Sequence, residues 1–260
     1  MKSRLSSLFI LGLSLLALAL TKPAPVNLYL IGDSTVKTGS GKGENGQWGW
    51  GSFLHEHFDT TRIKIHNYAI GGRSSRTFIS EGRWDKVLSE LKKGDYLLIQ
   101  FGHNDSSPVN DTLRARGTIK GIGEEMEEID NLITKKHEVV HSYGWYMRKY
   151  IDEAKAKGAI PIVCSPIPRN NWENGRIVRP TDSYPQWAQA VAKTNGAYFI
   201  DLYELVATEY DRTPPTLVKQ QYFTPADDTH TSRPGGELNA ELVARGIKSL
   251  KKCTLKKYLN

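Results

Sequence analysis

Five times along this chain a short run of strand length gives way to a turn and then to a segment with helical spacing. The runs are Asn27 to Ile31, Arg62 to Tyr68, Asp95 to Phe101, Ala159 to Cys164 and Ala197 to Asp201. Such alternation predicts an α/β fold: a doubly wound, five-stranded parallel sheet with helices on both faces, in three layers. Right-handed crossovers bring every strand's carboxyl end to one rim, so the loops that follow the strands share an edge. Helices are expected in the later part of Trp48 to Phe58, over Trp84 to Lys93, His137 to Lys157 and Tyr184 to Thr194, and from about Pro234. Residues 106–136, with the acidic run Glu124 to Glu128, read as a long lid or binding loop, and the stretch from Asp201 to His230 reads as another loop.

The N-terminus pairs a basic start, Lys2 and Arg4, with an apolar or small stretch from Leu8 to Leu20 and small residues at Ala17 and Ala19. That predicts a signal peptide over residues 1–19, too short for a membrane span, and hence a secreted or periplasmic protein with no stable span after cleavage. Residues 20–260 are enough for one domain, with no repeat or linker to divide them, and a monomer is expected. The net charge of +7 is concentrated at the C-terminus: Arg245, Lys248, Lys251, Lys252, Lys256 and Lys257 fall where there is no acid. It reads as a solvated terminal helix, and a nucleic-acid partner is not expected. Cys164 reads as a core residue; export permits a pairing with Cys253 but two cysteines do not establish one.

Chemistry concentrates at the predicted rim. The first strand stops at Gly32-Asp33-Ser34, which presents Ser34 as a nucleophile in need of a base. Asp227-Asp-Thr-His230 offers His230 as that base, with Asp227 rather than its neighbour Asp228 to orient the ring. The backbone N–H groups of Ser34 and Gly72 and the side-chain amide of Asn104 are candidate donors to an oxyanion. Asp33 is left to brace its turn by local hydrogen bonds.

Four blocks, Gly32 to Ser34, Asn67 to Gly72, Gly102 to Asp105 and Asp227 to His230, together resemble the SGNH (GDSL-type) hydrolases. The resemblance implies Ser34, Gly72, Asn104 and His230 as the four name-giving residues, with Asp227 completing the triad. A narrower resemblance is to the rhamnogalacturonan acetylesterases, through Gly32 to Thr35, Gly72 to Arg76, Glu81 to Arg83, Phe101 to Asp105, Asn171 to Gly175 and Thr229 to Ser232. It implies removal of O-acetyl groups from the galacturonate-containing backbone of pectin, with an acetylated polysaccharide as partner and no metal or organic cofactor. The segment Ser106 to Lys136 departs from that pattern. Arg73 and Arg76 are candidates to pair with uronate carboxylates, and Trp84 and Trp172 to stack on sugar rings.

The alternatives are an SGNH esterase acting on acetylated xylan or a lipid ester, a non-catalytic sugar-binding protein, and a zinc hydrolase. The last is prompted by His137-Glu-Val-Val-His141, an H-E-x-x-H string extended by Gly144. Position 147, where the longer zinc pattern needs a third histidine, is Met147, and the string lies on a crossover away from the rim. His137, Glu138 and His141 are therefore read as ordinary residues of a helix.

Overall fold

The structure is a computed structural model that describes residues 26–37, 43 and 45–260. The expected leader, residues 1–19, lies outside the described residues, as does most of the segment from Gly39 to Glu44. Strands are β1 Val26–Gly32, β2 Ile63–Asn67, β3 Tyr96–Gln100, β4 Met126–Asp130, β5 His137–His141, β6 Ile160–Cys164, β7 Trp172–Glu173, β8 Arg176–Ile177 and β9 Tyr198–Ile200. Helices are α1 Ser75–Ser80, α2 Arg83–Glu90, α3 Tyr143–Ala156, α4 Tyr184–Thr194, α5 Leu202–Tyr210, α6 Pro215–Tyr222 and α7 Arg233–Ser249.

The expected five-stranded parallel sheet forms in the order β2-β1-β3-β6-β9. Successive side chains of a strand point to opposite faces. Leu28, Leu30, Leu98, Ile162 and Ile200 accordingly pack under α5, α6 and α7, whereas Tyr29, Ile31, Leu97, Ile99 and Val163 pack under α1 to α4. Because both faces are covered, β1, β3 and β6 read as nearly continuous apolar runs. From β1 the chain builds outward to β2 on one side and to β3, β6 and β9 on the other. The switch point lies between β1 and β3, where a sheet of this kind opens a crevice at its carboxyl edge.

Several segments differ from the sequence reading. Residues His137 to His141 form a strand paired antiparallel with Met126–Asp130, not the first turn of a helix. The β-branched pair Val139-Val140 suits an extended chain, and the helix begins only where the Ser142 hydroxyl accepts the Trp145 N–H at 3.1 Å. The long 106–136 connection is thus partly ordered as a hairpin. In the later part of Trp48 to Phe58 the chain makes two 3-10 turns, Trp50–Ser52 and Leu54–His57, instead of an α-helix. The supposed loop after Asp201 contains α5, capped by the Asp201 carboxylate on the Glu204 N–H, and α6, which starts on Pro215. Among the described residues no helix is long and apolar enough to cross a membrane.

Candidate active site

Gly32 ends β1 at a point of close approach: a Cβ there would sit 2.5 Å from Val36 Cγ2 and 2.7 Å from the Gln100 carbonyl oxygen. The chain turns at once, and the buried Asp33 accepts from the Thr35 N–H and hydroxyl, both at 2.8 Å. Thr35 Oγ1 in turn accepts from Gln100 Nε2 at 2.6 Å, and Gln100 Oε1 accepts from Trp50 Nε1 at 2.9 Å. Every member of this chain is buried, so the turn carrying Ser34 is braced by a hydrogen-bonded polar network within the core. Gln100 has no role in the sequence reading, because a glutamine inside an apolar strand announces only that it must find partners.

Ser34 Oγ lies 2.8 Å from His230 Nε2, and His230 Nδ1 lies 2.8 Å from Asp227 Oδ2. A carboxylate only accepts, so Nδ1 carries a proton and Nε2 is the acceptor for the serine hydroxyl. Burial opposes the charge on Asp227, but N–H bonds from His230 and Thr229, each 2.7 Å, and the ring itself hold the carboxyl below its ordinary value. Asp228 faces elsewhere: Oδ1 accepts from Asn170 Nδ2 and Lys219 Nζ, both at 2.9 Å. Lys219 Nζ also donates to the Asp227 carbonyl, and Arg169 Nη1 donates to Thr229 Oγ1. The 165–180 loop and α6 thus clasp the segment that carries the histidine.

Gly72 has φ +77°, the left-handed region that favours glycine, and an added Cβ would lie 3.2 Å from Arg116 Nη1. Its carbonyl accepts from that guanidinium at 2.9 Å. Asn104 Nδ2 donates to the Arg73 carbonyl at 3.0 Å, which fixes the amide orientation and leaves its second N–H available. Behind them His103 bridges the Ile167 carbonyl, 3.0 Å from Nε2, and Asp33 Oδ2, 3.4 Å from Nδ1. A cavity of ≈ 260 Å³ opens on this side, walled by His103, Pro166, Ile167, Arg169, Tyr184 and Tyr203. Ser34 does not line it; the two are linked through Arg169 and the histidine loop.

Asp105 is buried, with Oδ1 accepting the Ser75 N–H at 3.0 Å and the Ser75 hydroxyl, while Oδ2 has no partner. Burial outweighs these bonds and pushes the carboxyl up to about 7. A group whose pKa rises on folding contributes stability that is full below its unfolded value of 3.8 and is lost as pH rises toward 7. Asp105→Asn keeps the acceptor and removes the titration. Its melting temperature is therefore expected to fall less than that of the parent protein between about pH 4 and 8, as thermal unfolding across that range will read.

Two expected substrate contacts are corrected. Arg76 is only 1% exposed and fully engaged: Nε and Nη2 pair with Glu138 at 2.7 and 2.6 Å, and Nη1 donates to the Val109 and Gly117 carbonyls. It fastens the 106–138 segment to α1 and cannot reach a sugar. Removing one partner of such a buried pair strands the other, so Arg76→Ala is expected to cost about 3–5 kcal/mol in denaturant unfolding. Trp84 is fully buried, edge-on to Tyr150 with ring centroids 4.9 Å apart, and its indole N–H donates to Glu153. Arg73 remains partly exposed, held by Glu81 at 2.8 Å. Trp172 is partly buried, its indole N–H on Asn170 Oδ1 at 2.7 Å.

The H-E-x-x-H string is also corrected. On a strand, residues four apart lie about 13 Å apart along the chain, too far for His137 and His141 to share a zinc ion as they would on one helix face. Glu138 is committed to Arg76, and His141 stacks on Trp145 at 3.9 Å. Cys164 and Cys253 are both buried free thiols.

The GDSL-like lipase/acylhydrolase family model matches residues 30–237. A Bacillus subtilis protein named "Probable rhamnogalacturonan acetylesterase YesY" is 33% identical over 86% of this chain and 93% of its own length. The rhamnogalacturonan acetylesterase of Emericella nidulans is 29% identical over 94% of this chain and 91% of its own. Among solved structures, an acetylxylan esterase from Geobacillus stearothermophilus superposes with a TM-score of 0.56 at 18% identity, covering 87% of this chain and 95% of that one, and so shares the fold. With its parallel sheet and its match spanning most of the described residues, the chain belongs to the GDSL-like lipase/acylhydrolase family of carboxylic ester hydrolases.

Proposed function

We propose that this protein is a serine acetylesterase that removes O-acetyl groups from rhamnogalacturonan through an acyl-enzyme. The observation that carries the reading is the continuous hydrogen-bonded line from Ser34 Oγ through His230 to Asp227. Ser34 Oγ bonds to the acetyl carbonyl carbon as its proton passes to His230 Nε2, and Asp227 steadies the imidazolium. The N–H groups of Ser34 and Gly72 and the Asn104 amide receive the oxyanion. As the carbon–oxygen bond to the sugar breaks, the sugar oxygen takes the proton from Nε2. Water then repeats the sequence: it gives a proton to Nε2, bonds to the acyl carbon and releases acetate, and Ser34 recovers its hydrogen.

The substrate assignment is supported by the names of the curated relatives and by Arg73 beside the glycine turn. Residues 1–19 would direct export to the periplasm or beyond, and residues 20–260 would act as a single domain. Acetate release from acetylated rhamnogalacturonan, acetylated xylan and a lipid ester tests the specificity. The pectic polymer is expected to be turned over fastest; equal rates on xylan would overturn the assignment.

A further inference from the structure

A second concave surface adjoins the candidate active site. It is a groove of ≈ 710 Å³ between α1–α2 and the segment 114–138, within the ~300–1,000 Å³ range of small-molecule clefts. Its positive groups are Arg73, Arg83, Arg114 and Lys136. Of the two carboxylates along it, Glu138 is neutralised by the buried Arg76, and Glu81 Oε2 is shared by Arg73 and Arg83 at 2.8 and 2.6 Å. Arg114 and Lys136 are exposed and form no ion pair among the described residues. The nearby Asp111 is engaged through Oδ1 with the N–H groups of Leu113, Arg114 and Ala115; the Arg114 charge helps to lower its pKa, but the two form no ion pair.

Cations are crowded here rather than dispersed. Burial lowers the pKa of the Arg116 guanidinium, and the neighbouring Arg114 and Arg73 charges lower it further against the opposing pull of the buried Asp33 and Asp105. Arg116 has only neutral partners, Ser107 Oγ and the Gly72 carbonyl. A structural arginine in this protein looks like Arg76, buried and saturated; Arg114 and Lys136 are neither. Thr77, Ser80, Asn131 and Thr134 add neutral polar groups along the same walls, and Arg73 makes the groove continuous with the Gly72 turn.

We propose that this groove binds the carboxylates of a uronate-containing polysaccharide, with Arg114 and Lys136 as the pairing cations. The proposal rests on the rhamnogalacturonan reading above and adds the subsite that would distinguish a charged backbone from a neutral one. Hydroxyl-rich walls suit sugar rings, unpaired cations suit carboxylates, and continuity with Gly72 lets one chain reach both.

The test is calorimetric binding of deacetylated rhamnogalacturonan oligosaccharides, and of neutral xylo-oligosaccharides, to the full chain and to R114Q/K136Q. Thermal unfolding verifies that the variant is folded, and K136Q alone, a change at an exposed side chain, gives an intermediate loss. The double variant is expected to bind the uronate chain about five- to tenfold more weakly at low salt, with the difference shrinking as salt is raised. Equal affinity of parent and variant, an equal loss on the neutral chain, or no binding by the parent protein would overturn the proposal. Failure of the acetylesterase reading shows differently: intact uronate binding with no acetate released from the acetylated polymer.

Discussion

Ser34→Ala is expected to lower kcat for acetyl-ester hydrolysis by about 10⁴- to 10⁶-fold while leaving the protein folded. The hydroxyl is the only atom on the β1 turn aligned with His230 Nε2, and no other described nucleophile shares that base. The turn itself does not depend on Ser34: Asp33, Thr35 and Gln100 hold it. Loss of one partly buried hydrogen bond costs about 1 kcal/mol, so the melting temperature should move by only a few degrees. Hydrolysis of 4-nitrophenyl acetate beside thermal unfolding separates the two effects.

The second large effect distinguishes adjacent acids. Asp227→Asn is expected to lower kcat by about 10⁴-fold, because an amide that turns its NH₂ toward Nδ1 would stabilise the wrong tautomer of His230. Asp228→Asn alters a carboxylate that serves Asn170 and Lys219 at the surface, and should change kcat by less than about tenfold. Kinetics of the two variants under identical conditions decide the assignment. A larger loss at Asp228 would mean that the wrong acid has been placed behind the ring.

The sheet was legible because its physics is local and repetitive. β1, β3 and β6 are buried on both faces and appear as apolar runs, while α4 is bracketed by Ser183 and the Pro185 of its first turn. The H-E-x-x-H segment misled because its spacing fits a helix, whereas β pairing depends on partners at Met126 to Asp130 that no local pattern announces. Ser142 was the available signal for the true helix start. Likewise Asp201 and Pro214-Pro215 mark α5 and α6 inside what composition presents as a loop.

At the rim, residue type and loop position were enough to nominate Ser34, Gly72, Asn104, Asp227 and His230, since each sits at or near a turn. Reach into the cleft was not legible. Arg76 follows the glycine turn as Arg73 does, yet its side chain points inward to Glu138 while that of Arg73 stays at the surface. Trp84 stands on the core-facing side of α2 with Val87, so its indole packs on Tyr150 instead of a sugar. Sequence names the chemical groups; the direction of each Cα–Cβ bond decides which of them meets substrate.

Acetate release from acetylated rhamnogalacturonan, measured for the parent protein and Ser34→Ala side by side, tests the central claim most directly. The account predicts steady release by the parent protein and none above background by the folded variant. Equal release by both would contradict it.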